Sequence, residues 1–445
     1  MEEKPKIVVT RTRRPEAAAK GFRFTAAQLP ADGVLKDYRQ HAWETYARLP
    51  FPSVTEEAWR RTDLHPMPVE AFRLPDGAGK KYPAVPRSLL KPLTAEVHGG
   101  QVVLAPDGAR LELAPDLAKM GVIFTDLRTA GRLHPDLVRK LAGQTVRPEE
   151  GKFAALTGAL AQDGVVLYVP KGVIVEQPLN SLLWGPGTDL AYLSHLLVLV
   201  DDGASVTYVH EAASPDEEGH SLHAGLVEIK VGDGATLRFV ELQSWGRSVW
   251  NISHERVQVG RDGTLEWIFG AIGSRLTKNF SELDLVGEGA TGRMSGFYFT
   301  DGTQHLDHDT QQNHLAPHTT SDLLFKGALK GQSRSVWQGM IYVAPGAQKT
   351  DGYQANRNLV LSTGARADSI PGLEILADDV RCTHGATVGK LEEEPLFYLK
   401  SRGIPDRDAE QLIVEGFFDP IMQRIPFEGV RTRFQKAIHE KMALE

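Results

Sequence analysis

The sequence predicts a mainly β protein: a right-handed parallel β-helix flanked by N-terminal and C-terminal α-helical domains. From about residue 95 to 390, short β-rich runs such as GVVLYV and TLRFVEL alternate with small turns. The turns resemble one another, and four of their glycines recur about 26 to 31 residues apart, at 203, 234, 263 and 289. A helical pattern is almost absent from this stretch, so the crossover helices of a doubly wound sheet are not expected. A β-sandwich is the alternative.

The N-terminal part, residues 1–92, reads as a helical domain that ends in a linker. VLKDYRQHAWETYARL spaces its apolar residues three or four apart, which predicts one amphipathic helix over 34–49. PFPSVTEEAWRRTDL follows, with Ser53 or Thr55 as a candidate N-cap of a second helix. Residues 75–92 are rich in Pro, Gly and Lys, which is typical of a linker. We therefore place the β-helix core at 93–390.

The last stretch, residues 391–445, is predicted to return to helix. Pro395 lies in an acidic first turn, Asp406 is a candidate cap of the next helix, and Gly403 separates the two. Four apolar side chains give this short domain more apolar surface than it can hide alone: Phe417, Phe418, Ile421 and Ile425. They either pack against the solenoid or dock a partner, and both interpretations stay open.

Composition and charge limit the partners and the cellular compartment that the sequence predicts. The chain carries a net charge of -7, which argues against nucleic acid or an anionic membrane as a partner held by bulk charge. One cysteine cannot form an internal disulfide, and no apolar run is long enough for a signal peptide or a membrane span. These features indicate a cytoplasmic protein.

The usual motifs of catalysis are missing or out of place. No G-x-x-x-x-G-K-[ST] loop is present, so the chain is not expected to hydrolyse nucleotide itself. GEGATG, residues 287–292, matches the dinucleotide pattern but precedes a strand-like run, so we interpret it as a solenoid turn. Carboxylate pairs at 201–202 and 378–379 lie at predicted turns, which weakens the alternative of a polysaccharide-active β-helix enzyme.

The run DGTQHLDHDTQQNHLAPHTT, residues 301–320, is dense in possible metal ligands. On a strand, His305 and Asp307 share one face and His308 points to the other. A metal needs three or four converging donors. Hydrogen-bonded polar ladders between rungs are the favoured interpretation, with a metal site as the alternative.

The stretch ADDVRCTHGATVGKL, residues 377–391, contains the single cysteine, Cys382, two positions before His384. On a strand both side chains project from one face, about 6.5 to 7 Å apart along the chain. Thiolate and imidazole are good iron ligands, but two donors are too few for a cluster. A metal site here therefore has to borrow ligands from another chain. A buried thiol beside a hydrogen-bonded histidine is the plainer alternative.

Three segments resemble one known family: EEAWRRTDL (56–64), GVVLYVPKGVIVEQPL (164–179) and residues 347–404, from AQKTDGYQANRNLV to FYLKSRGI. Together they are similar to the SufB/SufD family of iron–sulfur cluster assembly proteins, most strongly over about 340–420. Within the family, DDVRCTHGATVG and the single cysteine resemble the SufD members. A SufB-type paralogue would be expected to carry more cysteines.

The resemblance implies a non-catalytic scaffold subunit of the SUF system. It implies a heterodimer with a SufB-like paralogue, and binding of the ABC ATPase SufC by the C-terminal helical part. It also implies that His384, with Cys382 as a less certain participant, lies at the partner interface where iron or a nascent cluster is held transiently. No cofactor is expected to stay bound to the isolated chain, whose β-helix edges could instead pair in a homodimer.

Overall fold

The computed structural model describes residues 21–30, 33–75, 82–91 and 98–443 of the chain. Its centre is a β-solenoid of about eight turns with helices at both ends of the sequence. Part of the predicted linker, 76–81, and the predicted domain boundary at 92–93 lie outside the described residues.

The nine described α-helices fall into three groups along the sequence. Their bounds are α1 Lys36–Arg48, α2 Arg87–Leu90, α3 Pro115–Lys119, α4 Leu127–Leu133, α5 Pro135–Leu141, α6 Lys152–Leu160, α7 Glu393–Ser401, α8 Asp406–Met422 and α9 Glu428–Ala443. Short 3₁₀ helices span Ala26–Gln28, Glu57–Trp59 and Pro148–Glu150. No helix among these residues is long and apolar enough to cross a membrane.

The described strands number nineteen. Their bounds are β1 Gly100–Ala105, β2 Gly108–Leu113, β3 Ile123–Asp126, β4 Val165–Val169, β5 Leu179–Trp184, β6 Ala191–Val200, β7 Ser205–Ala213, β8 Ser221–Val231, β9 Thr236–Ser244, β10 Val249–Val259, β11 Thr264–Ala271, β12 Leu276–Leu285, β13 Thr291–Thr300, β14 His305–His314, β15 Thr320–Leu329, β16 Arg334–Val343, β17 Asp351–Val360, β18 Arg366–Ile375 and β19 Arg381–Lys390.

Successive strands alternate between two sheets, and this alternation makes the molecule a β-helix. One sheet has the order β19-β17-β15-β13-β11-β9-β7-β5-β1-β2, and the other has β18-β16-β14-β12-β10-β8-β6-β4-β3. From β4 and β5 onward, neighbours within each sheet pair in parallel. The chain turns between the sheets at glycines such as Gly203 and Gly234, both at φ 63°, a conformation that favours glycine. The predicted parallel β-helix is confirmed.

The two sheets enclose an apolar lumen, and each outer face is covered by a different end of the chain. Val198, Phe239 and Trp267 are among the lumen residues. The N-terminal segment with α1 and α6 packs on the outer face of the nine-stranded sheet, where Trp59 and Phe153 lie. Helices α8 and α9 pack on the outer face of the ten-stranded sheet. This burial of apolar surface on three sides is the main stabilisation of the fold.

Two expectations from the sequence need correction. Helices α3 to α6 lie between residues 115 and 160, in a stretch where we expected almost no helix. They are short, five to nine residues each, so they carry little 3.6-residue periodicity. The second predicted N-terminal helix is only the 3₁₀ turn Glu57–Trp59. Its Trp59 side chain is buried against the β-helix. Helix α1 is confirmed.

Candidate functional site

The last rung of the β-helix, β18 and β19, is open on one side. Strand β19 pairs with β17 and β18 with β16, and both strands lie at the ends of their sheets. Their outer edges therefore bind no further strand within the described part of the chain. Most side chains of β19 are exposed, whereas most of those of β17, one rung below, are buried. An unpaired edge of this kind is a template for pairing with another chain.

Cys382 and His384 lie at the mouth of the lumen. The register pairs Cys382 with Gly352 and His384 with Gln354. Paired residues of parallel strands project to the same face of a sheet, and both residues of β17 are buried. Cys382 and His384 thus continue the inward-facing column of side chains, as the i, i+2 spacing predicts. No rung lies above them among the described residues.

The Cys382 thiol is half-buried at the edge of a small apolar cluster with Ile341 and Val343. Gly352 leaves room for it, since a Cβ at that position would be 3.2 Å from Sγ. Burial is the main cause that raises the pKa of the Cys382 thiol. A backbone hydrogen bond from Gly352 lowers this pKa, and the Asp351 carboxylate raises it further, so the net shift is upward. The thiol is therefore protonated at neutral pH, and it has to lose its proton to serve as a metal ligand.

The His384 side chain, by contrast, is exposed. A methyl group added at the neighbouring Gly385, or at Gly389 further along β19, would meet nothing within 4 Å. These glycines lie on the outer face of β19, so that face is uncovered as well. An exposed imidazole such as that of His384 is a ready ligand for iron.

A buried ladder of amides lies one rung below β19, beginning at Gln354 under His384, and our sequence reasoning did not identify it. Tyr298 donates its hydroxyl hydrogen to Asn358 Oδ1 (2.6 Å), and Asn358 Nδ2 donates to Asn356 Oδ1 (2.6 Å). Gln354 Nε2 donates to the carbonyl oxygen of Gly372 (2.9 Å), while its Oε1 has no hydrogen-bond partner. The alternation Gln354-x-Asn356-x-Asn358 in a strand was the available signal, because every second residue faces the lumen.

The two donor types at the open rung suit iron, but two donors are too few for a complete coordination shell. A thiolate and an imidazole both ligate iron in proteins, and a complete shell takes about four donors. No group of three or more His, Cys, Asp or Glu side chains within the described residues is placed to hold a metal ion. Any iron or cluster held at Cys382 and His384 therefore needs donors from elsewhere.

The ligand-rich run at 301–320 is a hydrogen-bonded ladder, the favoured interpretation from the sequence. Lys278 Nζ lies 3.0 Å from Asp307 Oδ2 and 2.9 Å from Asp309 Oδ2, with Lys278 and Asp307 fully buried. His314 is bonded through Nδ1 to Thr319 Oγ1 (2.7 Å) and through Nε2 to Ser321 Oγ (2.8 Å). His308 does face away from Asp307, into the lumen beside aromatic rings.

The four apolar residues predicted at the ATPase-docking region are mostly used inside the chain. Phe418, Ile421 and Ile425 are fully buried against the ten-stranded sheet, and Phe417 is partly buried there. In this conformation the three buried side chains are not available to a partner. The large apolar side chains exposed in the same region are Phe397, Tyr398 and Leu412, at 73%, 56% and 49%. Docking of an ATPase by this region stays a prediction.

Fold and site together define a parallel β-helix protein whose open end carries a thiol and an imidazole. Family models match nearly the whole described chain: the SufBD protein N-terminal region over residues 26–180, and the SUF system FeS cluster assembly SufBD core domain over 184–417. The chain belongs to the SufBD family of iron–sulfur cluster assembly scaffold proteins.

Curated relatives agree with this family. The chain is 35% identical over 316 residues to the iron–sulfur cluster assembly protein SufB of Bacillus subtilis, covering 70% of this chain and 67% of the relative. It is 33% identical, over the same shares, to SufBD family proteins of Staphylococcus epidermidis and Staphylococcus haemolyticus.

Proposed function

We propose that this chain is a SufD-type scaffold subunit that builds an iron–sulfur cluster at its open rung together with a SufB-like paralogue. Iron or the nascent cluster is the cargo, and His384 and Cys382 supply part of its ligands. One observation carries this proposal: the two donors face the same way at the unpaired end of the β-helix.

The surface around the two donors supports an interface with another protein. Strands β18 and β19 are ten residues long, and each offers backbone hydrogen-bonding groups along its outer edge. Apolar side chains stand exposed beside these edges, among them Leu373, Ile375, Leu376 and Val388 at 37 to 50%. A paralogue with a matching β-helix end can pair with the edges, cover this apolar surface and add the missing ligands.

An ATPase of the SufC kind is the second proposed partner, and α7 and α8 are its proposed site. Helix α7 buries none of its side chains, and Phe397 and Tyr398 protrude from it. Since the sequence lacks a phosphate-binding loop of the Walker type, nucleotide energy would enter through this partner. A stand-alone polysaccharide enzyme is not favoured, because Asp201–Asp202 and Asp378–Asp379 lie in the turns between strands.

Reconstitution tests the proposal. The wild-type chain and His384→Ala are each mixed with a SufB-like paralogue and a SufC-like ATPase, and cluster formation is followed by visible absorption after adding iron and a sulfide source. We expect complex formation to persist and the cluster yield to fall severalfold in His384→Ala. His41→Ala, an exposed histidine far from the open rung in sequence and structure, is the matched control.

Two results would contradict the proposal. An unimpaired cluster yield in His384→Ala removes that residue from the ligand set. Failure of the wild-type chain to bind the paralogue, with a stable homodimer instead, removes the shared interface. Size-exclusion chromatography with light scattering separates these two cases.

A further inference from the structure

A cleft of about 450 Å³ lies between α1 and α4, far along the sequence from the open rung. Its walls include the apolar side chains of Val34, Leu35, Leu127 and Val138. The described residues that line it include three arginines, Arg39, Arg128 and Arg132, and no carboxylate. Its volume is in the range of small-molecule sites, about 300 to 1,000 Å³.

Arg39 is half-buried and forms no ion pair with any residue that the structure describes. Its Nη2 donates to the carbonyl oxygen of Ala161 (2.9 Å), while its buried Nε has no hydrogen-bond partner. Burial, and then the nearby Arg128, lower the pKa of Arg39, with Tyr38 acting in the opposite direction. Burying a cation without an opposite charge is costly, so an anion in the cleft would stabilise this arrangement.

The other two arginines differ in how far they are compensated. Arg128 lies 3.4 Å from Asp163 Oδ1, and it donates to the backbone and side-chain oxygens of Gln162 (3.2 and 3.1 Å). Arg132 follows four residues later on α4, on the same side of the helix, and the described lining residues beside it include no carboxylate. The described lining of the cleft therefore carries a surplus of positive charge at one end of an apolar pocket.

We propose that this cleft binds a small organic anion whose oxyanion head, a carboxylate or a phosphate, lies at Arg39 and Arg132. The apolar body of the anion packs on Val34, Leu127 and Val138. Guanidinium groups bind both kinds of oxyanion with paired N–H···O bonds, so the head alone does not distinguish them. The site is independent of the open rung, since it is built from α1 and α4 at the other end of the sequence.

Titration calorimetry on the full chain tests the proposal with four probes: hexanoate, hexyl phosphate, inorganic phosphate and hexanol. We expect saturable one-to-one binding of hexanoate, hexyl phosphate or both, and the one that binds more tightly identifies the head group. Hexanol lacks the charge and so loses the charge-assisted hydrogen bonds, whereas inorganic phosphate lacks the apolar body and so buries no hexyl chain. Both should therefore bind at least roughly tenfold more weakly than the tighter hexyl anion.

Variants show whether the binding uses this cleft. Arg39→Gln and Arg132→Gln should each weaken the binding roughly tenfold or more. Arg132 is exposed, so its replacement leaves the fold intact even if Arg39→Gln unfolds the chain. Gly131→Leu should block the cleft without changing its charge, since the first added carbon lies at an ordinary 3.4 Å from Val34 Cγ1. Arg407→Gln, an exposed arginine on α8, is the control.

The proposal fails if neither hexyl anion binds saturably. It also fails if Arg132→Gln and Gly131→Leu bind like the wild type, or if inorganic phosphate binds as tightly as hexyl phosphate.

Discussion

The rungs inside the β-helix have a neighbouring rung on each side and are called covered here, whereas the open rung is β18 and β19. Inward-facing side chains occupy equivalent positions in both, but they are buried in the covered rungs and accessible in the open rung. In the covered rungs, His223 is buried, with Nε2 bonded to Ser194 Oγ (2.8 Å) and Nδ1 donating to Asn251 Oδ1 (2.6 Å). In the open rung, His384 follows the same strand geometry and is exposed. The same residue type at the same kind of position is thus a structural group in one rung and an available ligand in the other.

This difference shows that position along the solenoid, not residue type, decides which polar groups can react. Each covered rung has neighbours on two sides, and these satisfy its polar side chains and exclude solvent. The last rung has a neighbour on one side. A β-helix therefore places its available ligands at its end without any special local structure, and the predictions that follow test how sharp this boundary is.

The largest expected effect is acid unfolding driven by five buried histidines and the half-buried His305. Burial is the main cause that lowers the pKa of all six to about 3 or 4: His210, His223, His254, His305, His308 and His314. In the unfolded chain they bind protons below about pH 6.5, whereas in the folded chain they stay neutral, so stability falls as the pH drops below 6.5. Each contributes on the order of 1 kcal/mol per pH unit.

The buried Glu241–Glu255 pair acts in the opposite direction. Burial is the main cause that raises the pKa of Glu255 to about 7, and it raises that of Glu241 as well. Between about pH 4.5 and 7 these groups favour the folded state as the pH falls, which offsets part of the histidine effect. We expect a net loss of several kcal/mol between pH 7.5 and 5.5, measured by urea unfolding. A constant free energy of unfolding over this range would show that the covered histidines are not held neutral.

Removing one charge from a covered ion-pair cluster should have the next largest effect. Lys278 is fully buried between Asp307 and Asp309 on the outer face of the nine-stranded sheet, under Trp59. Lys278→Met leaves two carboxylates buried without their cation, which costs about 3 to 5 kcal/mol. Arg381→Met, which breaks the exposed Arg381–Asp351 pair of the open rung, should cost less than about 1 kcal/mol. Equal costs for the two variants would contradict the contrast between the rungs.

Two glycine-to-alanine variants, one in a covered rung and one in the open rung, compare how tightly the two regions are packed. A methyl group at Gly327, on β15, would overlap the Tyr298 ring, so Gly327→Ala should destabilise the chain by about 1 to 3 kcal/mol. At Gly389, on β19, the same group meets nothing within 4 Å, and Gly389→Ala should change stability by less than about 0.5 kcal/mol. Thermal unfolding of the two variants beside the wild type checks this difference. A loss at Gly389 as large as that at Gly327 would mean that the last rung is covered.

Much of the fold could be predicted from the sequence, because the turn glycines and β-rich runs repeat with the rungs. The Cys382–His384 pair could also be identified, since a strand fixes the common face of residues two apart. The packing of Phe418 and Ile421 could not be predicted, because it depends on which outer face is left bare by residues far away in sequence. The lumen amides were missed for a related reason: their burial follows from the neighbouring rungs, not from their own segment.

The smallest expected effect on stability belongs to His384 itself. His384→Ala removes an exposed side chain and should change the free energy of unfolding by less than about 0.5 kcal/mol. His223→Ala removes the same side chain from a covered rung and takes away the bonds of Ser194 Oγ and Asn251 Oδ1 to the imidazole, so it should cost about 2 to 3 kcal/mol. Urea unfolding of both variants at pH 7.5 measures the difference. Because the open rung carries little of the stability, a loss of cluster formation in His384→Ala can be attributed to ligand chemistry; a destabilisation like that of His223→Ala would remove this basis.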